Sequence, residues 1–490
     1  MSQSQTMRHG AAWILASNTG NQILGFAFGI ILARLIAPGD FGMLLTVQVF
    51  TGLAGLISGG GMGQALVRAK DVTQADYDIV FTLQLIIGCL IYAGFFIAAP
   101  WFARWYNTPL YADLLRLSAL SFIVRPFVNL PGSILYRNMR YKTRAHVGLI
   151  ALVISNATNI LLAYFGYGVW SLVWGGIIGA LANAALLIPL SNWRPGFSLD
   201  FKRSRHIARY GMLVTTNDIL VYLRNQVSIF ILSRTLGPAS VGLFNKGQTL
   251  AKMPHSFVTG SVYQVLFRAL ASEQDSLDKN RQLFFRSISL VAVYTTPFYI
   301  GLLWLAEPLI RGVYGVRWVD SAGPLFVLAF AWPFWLMGNL SGAVLAARNW
   351  LGRELPVQIA TLVISALAII IALPYGIRGV AWAIVGVSVY SALHLYWLAS
   401  RCLQTDIGNF FRAIAPATLL NALLALTLYL TNLSIPDSLR QHDIAYLGWM
   451  GVTGTLVYGL SFLYLPITSL QAERRLWKLK LHLIRSPARS

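Results

Sequence analysis

The feature that most constrains this chain is the recurrence of apolar segments along its whole length. About fourteen of them are long enough to cross a hydrocarbon core of about 30 Å, which takes roughly 20 helical residues each. The runs are continuous rather than alternating, which favours helices over the strands of a membrane β-barrel. Only 11% of the residues are charged and the mean hydropathy is +0.62, whereas soluble domains carry about a quarter charged residues. The sequence therefore predicts an all-α polytopic membrane protein.

The basic residues predict the orientation of the chain. The 38 Lys and Arg residues outnumber the 17 Asp and Glu residues, and their heaviest clusters lie at 137–144, 202–209 and 474–489. With the N-terminus in the cytoplasm, most of these residues fall in cytoplasmic loops, as the positive-inside rule requires. We therefore expect both termini in the cytoplasm and an amphipathic tail on anionic lipid. The net charge of +21 then reflects topology rather than nucleic-acid binding.

Two stretches separated by 200 residues resemble each other. "ILARLIAPGDFG" (31–42) shares its Ile, Leu, Arg, Pro and Gly positions with "ILSRTLGPASVG" (231–242), and "LVRA" (66–69) matches "LFRA" (266–269) in the same register. Six crossings return a chain to the side on which it began, so two copies of such a unit are parallel. Parallel repeats are a common transporter plan, with the substrate site near the midplane between the halves. We expect two six-helix repeats around a central cavity and two further helices.

The predicted domains follow from this repeat. They are an N-terminal six-helix lobe (1–195), a basic cytoplasmic linker (196–206), a C-terminal six-helix lobe (207–400), two additional transmembrane helices (401–470) and a basic cytoplasmic tail (471–490). The two cysteines, Cys89 and Cys402, fall on helices that cannot bring them together, so we expect no disulfide.

Charged residues inside the apolar segments are the strongest functional signal, because each Arg or Lys at membrane depth costs about 2.5–3.5 kcal/mol on insertion scales. Arg224 lies ten residues before Arg234, an expected anchor at the outer interface. At a rise of about 1.5 Å per residue, Arg224 is about 15 Å deeper, near the midplane. Asp218 is the acid available nearby. The cations expected to form the floor of a water-filled cavity and to bind an anion are Arg125, Arg224, Lys252 and Lys246.

Polar residues accompany these cations at helical spacing. They are expected to line the cavity or to couple transport to an ion, and they are Asp218, His255, Asn217, Asn225, Gln248, Asn18 and Asn21. A further polar set on the fifth predicted helix, at 155–159, favours hydrogen bonding between helices. The chain has no phosphate-binding G-x-x-x-x-G-K-[ST] loop, no Cys/His cluster that offers a metal site and no nucleophile–base pair that stands out. We therefore expect neither a catalytic site nor a metal or cofactor.

Several segments carry a family resemblance when they are taken in order. They are "ILARLIAPGDFG" (31–42), "LLRLSALSFI" (114–123), "NLPGSILYRNMRYK" (129–142), "FGYGVWSLV" (165–173), "LGPASVGLFNKGQTLAKMP" (236–254) and "LAEPLIRGVYGVRW" (305–318). In this arrangement the chain resembles the bacterial polysaccharide repeat-unit flippases, of the exopolysaccharide or O-antigen type, within the multidrug/oligosaccharidyl-lipid/polysaccharide exporter superfamily. The resemblance covers residues 8 to about 400.

The resemblance implies a specific substrate and place. An undecaprenyl-diphosphate-linked oligosaccharide repeat unit would pass by alternating access from the cytoplasmic to the periplasmic leaflet of the bacterial inner membrane, for exopolysaccharide assembly. The expected partners are this lipid, the membrane lipids and, beyond them, a polysaccharide polymerase and export machinery, and we expect a monomer. A multidrug or cation antiporter of the same superfamily is the main alternative, although it requires midplane carboxylates. A membrane polysaccharide polymerase is a second alternative, which would be expected to have a large outer loop.

Overall fold

The structure is a computed structural model that describes residues 3–59, 61–69, 72–200, 205–273 and 276–481. Within these ranges the side chains are described except those at 3–12, 14–18, 205–214, 216–217, 257, 259–261 and 351. By internal packing the chain divides into two compact units, residues 1–242 and 243–490.

The described elements of the first unit are all helices. They are α1 (Gln3–Leu35), α2 (Pro38–Gly59), α3 (Met62–Arg68), α4 (Gln74–Trp105), α5 (Leu110–Ala119), α6 (Ser121–Val124), α7 (Pro126–Arg137), α8 (Tyr141–Tyr164), α9 (Val169–Leu190) and α10 (Arg205–Thr235). Helix α11 (Gly237–Ser272) begins within the first unit and continues into the second.

The apolar stretch Leu110–Arg137, long enough for one membrane span, is divided into α5, α6 and α7. The junction between α6 and α7 falls at Pro126, which has no N–H to donate to the carbonyl of Phe122 four residues earlier. That carbonyl lies instead against Gly88 of α4, where any side chain would overlap it. Arg125, immediately before the proline, therefore sits at a helix junction rather than inside a continuous helix.

Helices α8 and α9 pack closely through small residues. The Ser155 hydroxyl donates to the Gly175 carbonyl at 2.8 Å, and a side chain at Gly175 or Gly179 would overlap the α8 residues opposite. Such close approach with a hydrogen bond across the interface is how helices associate in lipid. The interpretation of the 155–159 set as helix-packing residues agrees with this contact.

Helix α10 packs against α2 and α3, which is why the first unit ends at Gly242. The Tyr222 hydroxyl donates to the carbonyls of Gln48 and Val49 on α2, at 2.8 and 3.1 Å. At the far end of α10, the hydroxyls of Ser233 and Tyr106 lie 3.1 Å apart. The sequence repeat assigns α10 to the C-terminal lobe, whereas its packing contacts assign it to the first unit. The lobe boundaries inferred from the repeat remain a prediction.

The starts of α2 and α11 touch each other at positions that are equivalent in the repeat. A side chain on Gly42 would overlap the Pro238 carbonyl, and one on Gly242 would overlap the Pro38 carbonyl. Each of these glycines is 200 residues from the other, and so is each proline. The contact is thus reciprocal, and it explains why both copies of the motif carry Pro and Gly at this spacing.

The second unit continues from α11 with further helices. They are α12 (Leu277–Tyr314), α13 (Ala322–Ala329), α14 (Trp332–Ala347), α15 (Leu351–Ala372), α16 (Gly376–Leu403), α17 (Ile407–Ser434), α18 (Asp437–Arg440), α19 (Asp443–Tyr464) and α20 (Gln471–Lys480), with short 3₁₀ turns at Val316–Ser321, Leu373–Tyr375 and Thr468–Leu470. Helix α12 packs along α17 and α19, and the Tyr458 hydroxyl of α19 donates to the Val293 carbonyl of α12 at 2.6 Å.

The described part of the predicted tail forms a short helix docked against the second unit. Helix α20 follows α19 after a bend of 96°. Glu473 pairs with Arg286 at 3.2 Å, and the Trp477 indole donates to the Tyr294 hydroxyl at 2.8 Å. Leu476 remains exposed beside these contacts, as expected of an amphipathic helix at a membrane surface.

Among the described residues, eight helical segments are long and apolar enough to cross a membrane, and two bent pairs raise the number to ten. One segment, Gly352–Leu403, is 52 residues long and contains both α15 and α16. The prediction of an all-α polytopic membrane protein is confirmed. The count of fourteen remains a prediction, since α1 and α10 run through residues whose side chains lie outside the described set.

The orientation can be tested by cysteine labelling. In a background with Cys89 and Cys402 replaced by Ser, Gly39→Cys and Ala239→Cys should react with an impermeant maleimide added from the periplasmic side. Position 39 has open space for the added side chain, and Ala239 is exposed. Lys142→Cys, although also exposed, should react only after the membrane is opened. The reverse pattern would overturn the proposed topology.

The reciprocal contact predicts a difference between two neighbouring glycines. Gly42→Leu should lower the free energy of unfolding by about 1–3 kcal/mol, because overpacking forces the two helix starts apart. Gly39→Leu is the matched control, since nothing lies within 4 Å of an added Cβ there. Thermal unfolding of both purified variants in detergent measures the difference. Equal melting temperatures would contradict the contact.

Candidate substrate cavity

The first unit contains a cavity of about 1010 Å³. Its walls come from α1 and α10, from the break between α2 and α3, from α4, and from the adjoining ends of α7, α8 and α9. Amide and hydroxyl side chains supply much of its polar lining, and they include Asn21, Gln64, Asn129, Ser133, Asn183 and Thr215. Such groups are costly in hydrocarbon unless they find partners or water. The cavity is therefore suited to hold water or a polar ligand.

Glycines shape one wall of this cavity. Helix α2 ends at Gly59, and Gly61 adopts a positive φ of 59° before α3 begins at Met62. This left-handed conformation is one that glycine tolerates at no steric cost. Gly63 then passes so close to Ser133 of α7 that an added Cβ would lie 2.6 Å from its hydroxyl oxygen. Gly59, Gly61 and Gly63 thus bring backbone to the cavity wall.

Among the described residues that line the cavity, Arg144 is the one cation, and it is not among the cations predicted above. Its guanidinium lies over the Tyr136 ring at 5.4 Å, and Tyr136 in turn packs edge-on against Tyr141 at 5.2 Å. Arg144 is exposed, and within the described part of the chain it forms no ion pair. A guanidinium that packs over one phenol ring and is open to water can form bidentate hydrogen bonds with a phosphate or carboxylate.

Two of the predicted cavity residues line this space. Asn21 of α1 and Asp218 of α10 both contribute to its wall. Asp218 lies one helical turn before Tyr222, on the face of α10 that packs against α2. Arg224 is six residues beyond Asp218, which on an α-helix places the two positions about 120° apart around the axis. Asp218 lines the cavity, whereas Arg224 lies on a different side of α10 and is not among the lining residues.

Arg125 lies beside the cavity rather than in its lining. Its guanidinium packs over the Phe122 ring at 5.0 Å and against Gly55 of α2, where a side chain would overlap it. Gly55 itself lines the cavity. Arg125 is partly buried and lies behind Gly55, so it is not one of the residues that line the cavity.

The remaining predicted cavity residues lie on α1 and α10 or on α11. The side chains of Asn18 and Asn217 lie outside the described residues, and Asn225 is exposed on α10. The α11 residues Lys246, Gln248, Lys252 and His255 belong to the second unit.

Aromatic rings surround two of these α11 residues. The Lys246 ammonium lies over the rings of Tyr314 and Trp318, at 4.8 and 5.4 Å, contacts worth about 0.5–2 kcal/mol each. The His255 ring is 6.1 Å from that of Trp335. Gln248 is buried, whereas Lys252 is partly buried. The substrate-binding roles assigned to this set remain predictions.

Comparisons with known proteins identify the family. A family model described as "Polysaccharide biosynthesis protein" matches residues 31–323, more than half of the chain. The chain belongs to this family. The resemblance inferred from the ordered sequence segments is thereby confirmed.

Individual relatives extend the comparison. The chain is 26% identical over 342 residues to the succinoglycan biosynthesis transport protein ExoT of Rhizobium meliloti (strain 1021), which covers 70% of this chain and 67% of ExoT. It is 24% identical over 354 residues to the lipopolysaccharide biosynthesis protein WzxC of Escherichia coli (strain K12), 71% of each chain. The lipid II flippase MurJ, in an inward closed conformation, has a TM-score of 0.74 at 18% identity, covering 92% of this chain and 98% of MurJ. The last comparison shows a shared fold.

Proposed function

We propose that this protein moves an undecaprenyl-diphosphate-linked oligosaccharide repeat unit from the cytoplasmic to the periplasmic leaflet for exopolysaccharide assembly. The observation that carries the proposal is the polar cavity of about 1010 Å³ within a membrane-spanning unit. Sites for drug-sized ligands have volumes of about 300–1,000 Å³, so this cavity has room for more than one sugar ring. The family and the names of its members support the same class of substrate.

The chemistry of the lining supports a sugar rather than a drug cation. Amides and hydroxyls donate and accept hydrogen bonds, as sugar hydroxyl groups require. Arg144 adds a charge for a phosphate or an acidic sugar, and Tyr136 and Tyr141 add ring faces. A cation antiporter needs convergent carboxylates, and among the described lining residues Asp218 is the one acid. These features favour an oligosaccharide carrier over a multidrug or cation antiporter, and over a polymerase.

The proposed orientation places the cavity on the cytoplasmic side of the inner membrane, with both termini in the cytoplasm. The ends of α7 and α9 and the start of α8 that line it are flanked by the basic cluster at 137–144, which the positive-inside rule assigns to the cytoplasm. The sugar would enter the cavity from that side. Arg125, Arg224, Lys252 and Lys246 would contact the diphosphate as transport proceeds. A polymerase and export machinery would receive the product.

A deletion strain tests the proposed activity directly. Cells that lack this protein should accumulate the lipid-linked repeat unit while the polysaccharide disappears from the surface, as measured by mass spectrometry of lipid extracts. Reintroducing the gene should reverse both effects. A deletion strain that exports normal amounts of polysaccharide, with no accumulated intermediate, would contradict the proposal.

Arg144 provides the first site-specific prediction. Arg144→Ala should lower polysaccharide export about tenfold or more at normal membrane levels, because a hydrogen bond to a charged group contributes about 1.5–3 kcal/mol. Arg144→Lys should retain part of the activity, since the charge remains but the bidentate fork is lost. Lys142→Ala is the control, as Lys142 is exposed on the same helix and does not line the cavity. Equal export by the Arg144→Ala and Lys142→Ala strains would rule out this role.

The midplane cations provide the second prediction. Arg224→Ala and Lys252→Ala should each abolish export without loss of the protein from the membrane, because a lipid diphosphate brings about two negative charges that require compensation. Arg224→Lys should be partly active. Arg234→Ala is the control, since Arg234 lies on the same helix but packs over the Trp105 ring at 5.5 Å. Full complementation by both alanine variants would show that neither residue binds the diphosphate.

A further inference from the structure

Two apolar troughs on the surface of the second unit meet at one arginine. The first, of about 720 Å³, runs between α15 and α16, and its walls include Ile364, Ala368 and Gly386. The second, of about 460 Å³, runs between α12, α13 and α16, and its walls include Leu303 and Phe326. Arg378 and Trp382 of α16 line both troughs.

Arg378 occupies the first turn of α16, at the junction of the troughs. Its side chain crosses Gly323 of α13, where an added Cβ would overlap it, so glycine at 323 is what lets the arginine lie there. Arg378 is exposed, and in the described part of the chain it has no ion-pair partner. Glu307 lines the same second trough but pairs with Arg311. The N-terminus of α16, which carries the partial positive charge of the helix dipole, adds to the charge of the guanidinium. The junction is therefore an anion site flanked by apolar channels.

The surrounding residues mark this site as one that faces lipid near the membrane interface. Ile371 is 73% exposed and Tyr375 is 77% exposed at the end of the first trough. Trp382, which separates the troughs, is 53% exposed and stacks on Phe330 at 5.8 Å. Tyrosine and tryptophan concentrate at the headgroup level of membranes, and a phosphate is the anion that occurs there.

We propose that this site binds a two-chain glycerophospholipid of the surrounding bilayer. Arg378 binds the phosphate, and one acyl chain lies in each trough on either side of Trp382. Two troughs that share a single cation match two chains on one phosphate, whereas a polyprenyl diphosphate has one chain and would leave a trough unfilled. With the proposed orientation the site faces the periplasmic leaflet. The inference does not depend on the proposed transport activity, because it concerns lipid binding by the second unit alone.

Retention of lipid by the purified full-length protein tests the proposal. The protein is extracted in a mild detergent, and bound lipids are identified by native mass spectrometry and quantified after extraction. The wild type should retain about one two-chain phospholipid through purification. Arg378→Ala should retain about tenfold less, because the charge-assisted hydrogen bonds to the phosphate are lost. Arg317→Ala is the matched control, since Arg317 is exposed in the neighbouring 3₁₀ turn and lines neither trough.

A second variant acts on the apolar part of the site and leaves the arginine in place. An added Cβ at Gly386 meets nothing within 4 Å, so Gly386→Leu should fold normally while filling the first trough and displacing a chain. The melting temperature without added lipid checks the folding of each variant. Retention equal to the wild type in both Arg378→Ala and Gly386→Leu would overturn the proposal. So would a retained lipid that proves to be a single-chain polyprenyl diphosphate. Either result leaves the transport assays of the deletion strain unaffected.

Discussion

The cost of leaving a polar group without a partner in hydrocarbon governs this structure. Lipid offers no hydrogen bonds, so polar groups are accommodated in three ways. Backbone groups pair within helices, some side chains form hydrogen bonds between helices, and other side chains line a space that water can reach. Ser155 illustrates the second solution, since its hydroxyl donates to the Gly175 carbonyl on the next helix. Asn21 and Asp218 illustrate the third, since both line the cavity of the first unit. The proposed substrate site lies where the third arrangement is used.

The same constraint explains what the sequence could predict. Apolar length and continuity predicted the helical class, and the polar residues that interrupt α1 and α10 predicted that these helices face a cavity. The depth of a residue along a helix can be estimated by counting residues. The direction in which its side chain points depends on how the helix packs against its neighbours, which residue counting does not give. Arg125 shows the difference: residue counting predicts its depth, but the helix junction at Pro126 places its side chain against Gly55, beside the cavity. Packing of α10 with the first unit could not be foreseen from the repeat.

Arg144 was missed for a related reason. Basic residues beside a cytoplasmic turn are normally explained by the positive-inside rule, and the cluster at 137–144 fits that explanation. Two of its members also have structural partners: Arg137 and Arg140 donate to the carbonyls of Leu66 and Leu190, both at 2.7 Å. The one local feature that distinguishes Arg144 from these residues is Gly148, one turn later on α8. Because Gly148 has no side chain, the face of α8 that carries Arg144 is open to the cavity. A small residue one turn from an interfacial arginine is the signal that would have found it.

An alternating-access cycle, as proposed here, requires contacts that hold one state and can separate. The reciprocal contact between the starts of α2 and α11 is suited to forming and separating, because it is made between backbone atoms. Gly42 and Gly242 present Cα–H groups to the carbonyls of Pro238 and Pro38, and contacts of this kind contribute about 0.5–1 kcal/mol each. Interlocked large side chains would hold the helices together more strongly and would leave cavities on separation. Glycine at both positions therefore gives close apposition that costs little to break, and the repeat ensures that both sides of the contact are alike.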